Sequence, residues 1–188
     1  GLSANEVAVE LMHSLVTLSR DLREMADPDN GFDPPYPTLT IGIMQGGEAG
    51  NILAGHAHFE FDLRCPPGFD ATEILAPFIA SCQAKDDEVK SRFPDAGVTV
   101  ERLGNAPPLA AAGNEDAIAF VRRLTGENSD PSKVAYATEG GQFQEARFPT
   151  IICGPGSIEQ AHQPDDRDSP QHPDNESPGK HNKIERYP

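Results

Sequence analysis

The chain has no tryptophan, three cysteines, few basic residues and no long apolar run. Cys65, Cys82 and Cys153 are widely spaced and form no C-x-x-C pair. An odd, scattered set of thiols speaks against a disulfide framework and fits a reduced, cytoplasmic protein. No apolar stretch approaches the ~20 residues needed to span a bilayer, and the opening residues lack a signal-peptide pattern. The 15 Lys and Arg face 30 Asp and Glu, a formal charge of -15 over 188 residues. That balance argues against nucleic acid or an anionic membrane as a partner, because both are polyanions. Hydrophobic residues make up 37%, a low share, but the deficit is concentrated near the end. What remains suits one ordinary domain or two small ones. The chain opens on Gly1 and reads as a piece of a longer protein.

The first segment has helical punctuation. Ser3 and Glu6 form an S-x-x-E capping pattern, and Val7, Leu11, Leu15, Leu18, Leu22 and Met25 make one apolar stripe. Asp27-Pro28-Asp29-Asn30-Gly31 ends it. An extended run, Thr38 to Met44, leads to the Gly-rich turn 46–50, which lacks the Lys-Ser/Thr of a phosphate loop. Leu53 to Arg64 then alternates, with Ala57, Phe59, Phe61 and Leu63 on one face. Two runs joined by such a turn predict an antiparallel pair. Asp70 or Thr72 caps a second helix with Ile74, Leu75, Phe78, Ile79, Cys82 and Val89 as its apolar positions. Pro77 sits awkwardly inside that helix unless it starts late or bends. Asp86-Asp87-Glu88 reads as a solvated face, and Val98 to Leu103 as a strand. The order helix, strand, strand, helix, strand predicts a ferredoxin-like βαββαβ layer lacking its first strand.

A Pro/Ala linker, 105–113, marks the preferred domain boundary. Beyond it, Asn114 caps a helix with Ile118, Val121 and Leu124, and strands are expected at Val134–Ala137 and Thr150–Cys153, an α/β layer. From Asp165 onward only Ile184 and Tyr187 are large apolar residues. Such a tail cannot offset an ordering entropy of roughly 1–2 kcal/mol per residue, and disorder is expected.

Four residues stand out as candidates. His162 follows Gly154-Pro155-Gly156-Ser157-Ile158-Glu159-Gln160-Ala161 beyond a predicted strand end, where ligand groups of α/β sheets gather; spacing alone fits an exposed loop histidine better. Arg64 ends the alternating strand on its polar face, where a guanidinium can grip a carboxylate at two points or simply face water. Asn51 follows the glycine turn and is otherwise a turn residue. Glu139 lies in a Gly-flanked turn, as a functional carboxylate or a helix-capping acid. Cys153 reads as a buried structural thiol rather than a nucleophile, having no nearby histidine in sequence. His56 and His58 share a strand face without a third ligand.

Taken together, the segments resemble the acetylornithine deacetylase group of the co-catalytic zinc aminoacylase and carboxypeptidase superfamily. The resemblance rests on Pro35-Tyr36-Pro37-Thr38-Leu39 with Gly46-Gly47 and Asn51; on Asp62-Leu63-Arg64 followed by Pro67-Gly68; on Thr138-Glu139; and on the run from Gly154 through His162 to Asp165. It implies a lid (dimerisation) domain over 1–106, the C-terminal part of a catalytic domain over 107–164, and a family-unlike tail over 165–188. It further implies a hydrolase of linear amides that uses two zinc ions, with cobalt an alternative. His162 would ligate one zinc, Asn51 and Arg64 would hold an N-acyl amino acid, and Glu139 would match the acid of the T-E motif. The family's H-x-D motif, bridging aspartate and E-E pair belong to its N-terminal part, to which no segment of this sequence corresponds; the one literal H-x-D, His172-Pro173-Asp174, falls in the tail, where the frame after Pro164-Asp165 departs from the family pattern. The chain alone is therefore expected to be inactive. The expected reaction of the whole enzyme is N2-acetyl-L-ornithine plus water to L-ornithine plus acetate, a step of arginine biosynthesis. The alternatives are a desuccinylase, another deacylase, a carboxypeptidase, or a non-catalytic module that pairs two chains through its sheet edge or first helix.

Overall fold

The computed structural model describes residues 1–126, 128–134 and 136–154. Gly1–Ile151 form one compact unit; of the second unit, Ile152–Pro188, residues 152–154 are described.

Helix α1 spans Ala4–Asp21 with Ser3 at its N-cap. The capping pattern marks the correct start, but the Ser3 side chain makes no cap bond. The first turn is satisfied differently: Ala4 N donates to Ala54 O at 2.8 Å, while Glu6 N and Val7 N donate to Ser3 O. The predicted stripe faces inward, burying Leu11, Leu15 and Leu22, whereas Met25 at its end stays exposed. Asp27 Oδ1 accepts from Asp29 N at 3.0 Å, and Gly31 takes the left-handed conformation at φ +73, so the helix stops where expected.

Strands β1 (Thr38–Gly46) and β2 (Ala57–Arg64) form an antiparallel pair, from Thr38 opposite Arg64 to Gly46 opposite Ala57. An irregularity between Ile41 and Ile43 inserts Gly42 as a bulge. β2 starts four residues later than the alternation suggested. Ile52 and Leu53 lie exposed in the connecting loop, because β1 ends at Gly46 and offers them no partner. Helix α2 spans Ala71–Arg92, and Asp70 Oδ1 accepts from Thr72 N at 2.7 Å. It runs on through Pro77, on its exposed side, where the carbonyl deprived of an amide partner can face water. Leu11, Leu15 and Leu22 of the first helical segment, Leu39 of β1, and Phe78 and Cys82 of α2 form the core, with Phe59, Phe61 and Leu63 packed against it. The Phe61 and Phe78 rings meet edge-to-face at 5.3 Å.

The architecture is mixed α/β, with the α1-β1-β2-α2 order of the predicted layer. Three expected strands are absent among the described residues. Val98–Leu103 carries no ladder, since among the described residues no strand lies beside it to complete the hydrogen bonds. The described residues of 134–137 and those of 150–153 are likewise outside any sheet. The expected helix after Asn114 does form, as α3 (Glu115–Thr125), ended by Gly126, and a short α4 (Gly140–Glu145) precedes Thr150. Asp86 corrects another expectation: it is buried, not part of a solvated face.

Candidate functional site

Arg64 is the last residue of β2 and lies on the outer, polar face of the hairpin. Its Nε donates to Asp62 Oδ2 at 2.7 Å, and both side chains are largely exposed. Asp62 and Arg64 stand two apart on one strand, so period-2 alternation puts them on the same face. A substrate carboxylate reaching Arg64 would share or replace the Asp62 contact. Asn51 is exposed in the loop between the strands, inside the turn closed by Ile52 N to Ala49 O at 3.1 Å.

The hairpin register separates these two residues. Asn51 belongs to the loop end, which sits by the start of α1 through the Ala4–Ala54 bond. Arg64 belongs to the open end, opposite Thr38; next to Thr38, Leu39 O accepts from Ser19 Oγ of the last turns of α1 at 3.1 Å. Seven residue steps at ~3.3 Å make the ends about 23 Å apart. Asn51 and Arg64 thus neighbour opposite ends of the hairpin.

Glu139 is exposed at the N-cap position of α4, with φ -72 and ψ -3. Its side chain makes no cap bond; its carbonyl accepts from Gln142 N and Phe143 N. Thr138 Oγ1 accepts from Gly140 N at 3.1 Å, so the threonine of the T-E pair satisfies the helix start and leaves the carboxylate unengaged by the cap. A Cβ at Gly141 would overlap the backbone carbonyl of Pro107, which explains a glycine there. Gln142 Nε2 donates to Asn105 O at 2.9 Å. Gln144 grips the linker from both ends of its amide: Nε2 donates to Ala110 O and Ala112 O, and Oε1 accepts from Ala110 N.

Asn114, 2% exposed, occupies the α3 N-cap position but does not cap with its side chain. It donates from Nδ2 to Ala110 O and accepts Thr150 N at Oδ1, both at 2.6 Å. Sequence reasoning missed Gln142 and Gln144 because a glutamine on a short helix carries no spacing signal. His162 lies outside the described residues, as does the family-like run from Pro155 to Asp165.

Among the described residues no group of three or more His, Cys, Asp or Glu could hold a metal ion. His58 Nε2 instead lies 3.0 Å from Glu60 Oε1 on the hairpin's outer face. The three cysteines are free. Burial raises the Cys82 thiol pKa, and burial followed by the nearby Asp70 charge raises that of Cys65, so neither is poised as a thiolate. Cys153 is exposed, against the expectation of a buried thiol. Among the described residues no helix is long and apolar enough to cross a membrane. A hollow of about 200 Å³ between α1 and β1, lined by Val16, Ser19, Arg20, Arg23, Leu39 and Ile41, contains none of the four candidates.

Residues 1–94, which carry the α1-β1-β2-α2 layer, match the peptidase dimerisation domain. The chain belongs to that family. Beyond the dimerisation domain, the chain is similar to acetylornithine deacetylases. It is 34% identical over 166 residues to that of Proteus mirabilis strain HI4320, covering 85% of this chain and 40% of that protein. It is 31% identical over 167 residues to that of Aliivibrio fischeri strain MJ11, covering 88% and 42%. For Klebsiella pneumoniae strain 342 the figures are 32% over 165 residues, 85% and 40%. The chain thus spans about two-fifths of the length of the curated relatives it matches.

Proposed function

We propose that this chain supplies the dimerising lid (1–106) and a C-terminal catalytic segment (107–164) of an N-acyl amino acid amidohydrolase. The substrate we assign is N2-acetyl-L-ornithine, cleaved to L-ornithine and acetate in the cytoplasm as part of arginine biosynthesis. The observation that carries this reading is the similarity to acetylornithine deacetylases, which runs past the dimerisation domain into the Thr138-Glu139 region.

In this reading Arg64 holds the substrate's α-carboxylate through paired N–H donors, the geometry for which a guanidinium is suited. Asn51 contributes an amide to the substrate. Because the two neighbour opposite ends of a hairpin about 23 Å long by the strand rise, in this reading two chains pair and each gives one of them to a substrate. The homodimer follows from the same logic, with the exposed Val9 and Val16 of α1 and the free edge of β1 as surface to be covered.

Two zinc ions, or cobalt in their place, are what the resemblance implies. The described residues do not supply a metal cluster. His162 stands as a ligand on its motif alone, and no chemical step is derived through a metal. A zinc normally takes three or four protein ligands, so the chain by itself is expected to be inactive.

Two experiments test this. The purified chain, supplied with zinc, should not hydrolyse N2-acetyl-L-ornithine above the buffer rate and should sediment as a dimer; turnover or a monomer refutes the corresponding half. Residues 1–164 grafted in place of the matching segment of the Proteus mirabilis enzyme should support deacetylation, and Arg64→Ala in that chimera should raise KM far more than it lowers kcat. A chimera active on N-succinyl but not N-acetyl substrates would replace this assignment with the desuccinylase alternative.

A further inference from the structure

Asn5, the second residue of α1, is half-buried and has no part in the proposed reaction. Its side chain lies against the entry to the loop between β1 and β2. A Cβ at Gly46 would overlap Asn5 Oδ1 and stand 3.1 Å from Ala57 Cβ, and one at Gly47 would stand 3.0 Å from Asn5 Nδ2. The two glycines are required for different reasons. Gly47 has φ +78, a left-handed conformation that L side chains rarely adopt. Gly46 ends β1 with an ordinary strand backbone, so the volume filled by Asn5 is what demands glycine there.

The exit of the same loop is held by the neighbouring residue. Ala4 N donates to the carbonyl of the buried Ala54 at 2.8 Å. A first-turn amide has no acceptor inside its own helix, so Ala54 O satisfies Ala4 from outside. Glu48 to Leu53 bridge the interval between the two attachments, and Asn51 lies in the turn closed by Ile52 N and Ala49 O. Both ends of the Asn51 loop thus rest on one turn of α1.

We infer that the first turn of α1 is the seat of the Asn51 loop, and that Asn5 is the positioning residue that fixes its Gly-Gly entry. Two successive glycines give a chain its widest conformational freedom. A loop entered through them keeps one course only where a group outside the loop confines the backbone, because each freed residue regains entropy. The Asn5 amide confines it by fit: it occupies the volume that a side chain at Gly46 would take. That Asn51 meets a substrate rests on the function proposed above; the seating of its loop does not.

Nuclear magnetic resonance relaxation of the full chain tests the inference. Asn5→Ala removes the amide but puts a better helix former into α1, so a loss of loop order runs against helix propensity. Order parameters of the amides from Gly47 to Ile52 should fall from the rigid range, about 0.85, to below about 0.6. Amides around Cys82 should not change, which shows that the variant is folded. Asn5→Asp keeps the shape and should keep the order. Gly46→Ala should evict the Asn5 amide, seen as a shift of its side-chain NH2 pair, and loosen the loop as Asn5→Ala does. The double variant should be no looser than either single one, since both remove the same contact. Unchanged order in Asn5→Ala, an equal loss in Asn5→Asp, or additive losses in the double variant overturns the seat. In the chimera, Asn5→Ala should raise KM several-fold with little change in kcat, and should lose that effect once Asn51 is replaced by Ala. An effect that persists in the Asn51→Ala background overturns the positioning role. An inactive chimera refutes the enzymatic reading, and the order parameters still decide the seat.

Discussion

The two parts of the compact unit are held together by different physics. In residues 1–98, Leu11, Leu15, Leu22, Leu39, Phe78 and Cys82 form a buried cluster between two helices and a hairpin. In residues 105–151, no residue of α3 is buried, and Leu124 is 69% and Phe148 62% exposed. Cohesion there comes from Asn114, Gln142 and Gln144, which bind backbone groups directly. An amphipathic sequence is thus not enough for burial. Ile118, Val121 and Leu124 repeat at helical spacing as well as the stripe of α1 does, yet Ile118 and Val121 are only half-buried and Leu124 is exposed. Burying apolar area yields about 25 cal/mol per Å², whereas a hydrogen bond nets about 0.5–1.5 kcal/mol. The first part should therefore carry most of the global stability.

Substitutions on either side test this contrast. The largest effect is expected from Leu15→Ala, at a fully buried site: a loss of about 2–5 kcal/mol in urea unfolding. Gly141→Ala comes next. Its methyl would collide with the Pro107 backbone, costing about 1–3 kcal/mol and opening the clasp, as seen by faster exchange at Ala110. Asn114→Ala leaves Thr150 N and Ala110 O without that partner. A cost of about 1–3 kcal/mol is expected, confined to the exchange of residues 105–151. If it lowered the urea midpoint as much as Leu15→Ala, the two regions would not be energetically distinct.

Acid should act at the join. Hydrogen bonds from Lys90 and then from Val98 hold the Asp86 carboxyl below its ordinary value; Lys90 is the charged group that faces it. A depressed folded-state pKa means the contribution is present above the unfolded value and is lost as pH falls through the folded one. Val98 exchange, corrected for intrinsic rates, should stay slow from neutral pH down to the ordinary carboxylate range and rise only below it. Asp86→Asn should flatten that profile. The smallest effect is expected for Leu124→Ala, within about 0.5 kcal/mol; a larger loss by urea unfolding would mean that α3 is covered after all.

Much of the first part was legible from the residues. Helix α1 was readable from its stripe and its Asp-Pro-Asp-Asn-Gly stop, and the hairpin from the alternation of Phe59, Phe61 and Leu63 around a glycine turn. The Asp70 cap was legible as well. Among the described residues the strands expected at 98–103, 134–137 and 150–153 are absent, because alternation describes one strand while a ladder requires two. The site was less legible. Arg64, Asn51 and Glu139 could be singled out by residue type and motif, but the register that separates the first two could not. Asp86 was hidden in an acidic run, since nothing local distinguishes the one carboxylate that turns inward from its two solvated neighbours.

Periodicity, capping groups and turn residues were sufficient to specify α1, β1, β2 and α2, because each depends on interactions within a few residues or across one tight hairpin. Tertiary contacts decided which end of the hairpin each candidate occupies, that Asp86 reaches Val98, and that Asn114 abandons its cap for Thr150. Those outcomes depend on groups brought together from distant parts of the chain, where the gain is a bond or a packing surface that exists only once the fold has formed.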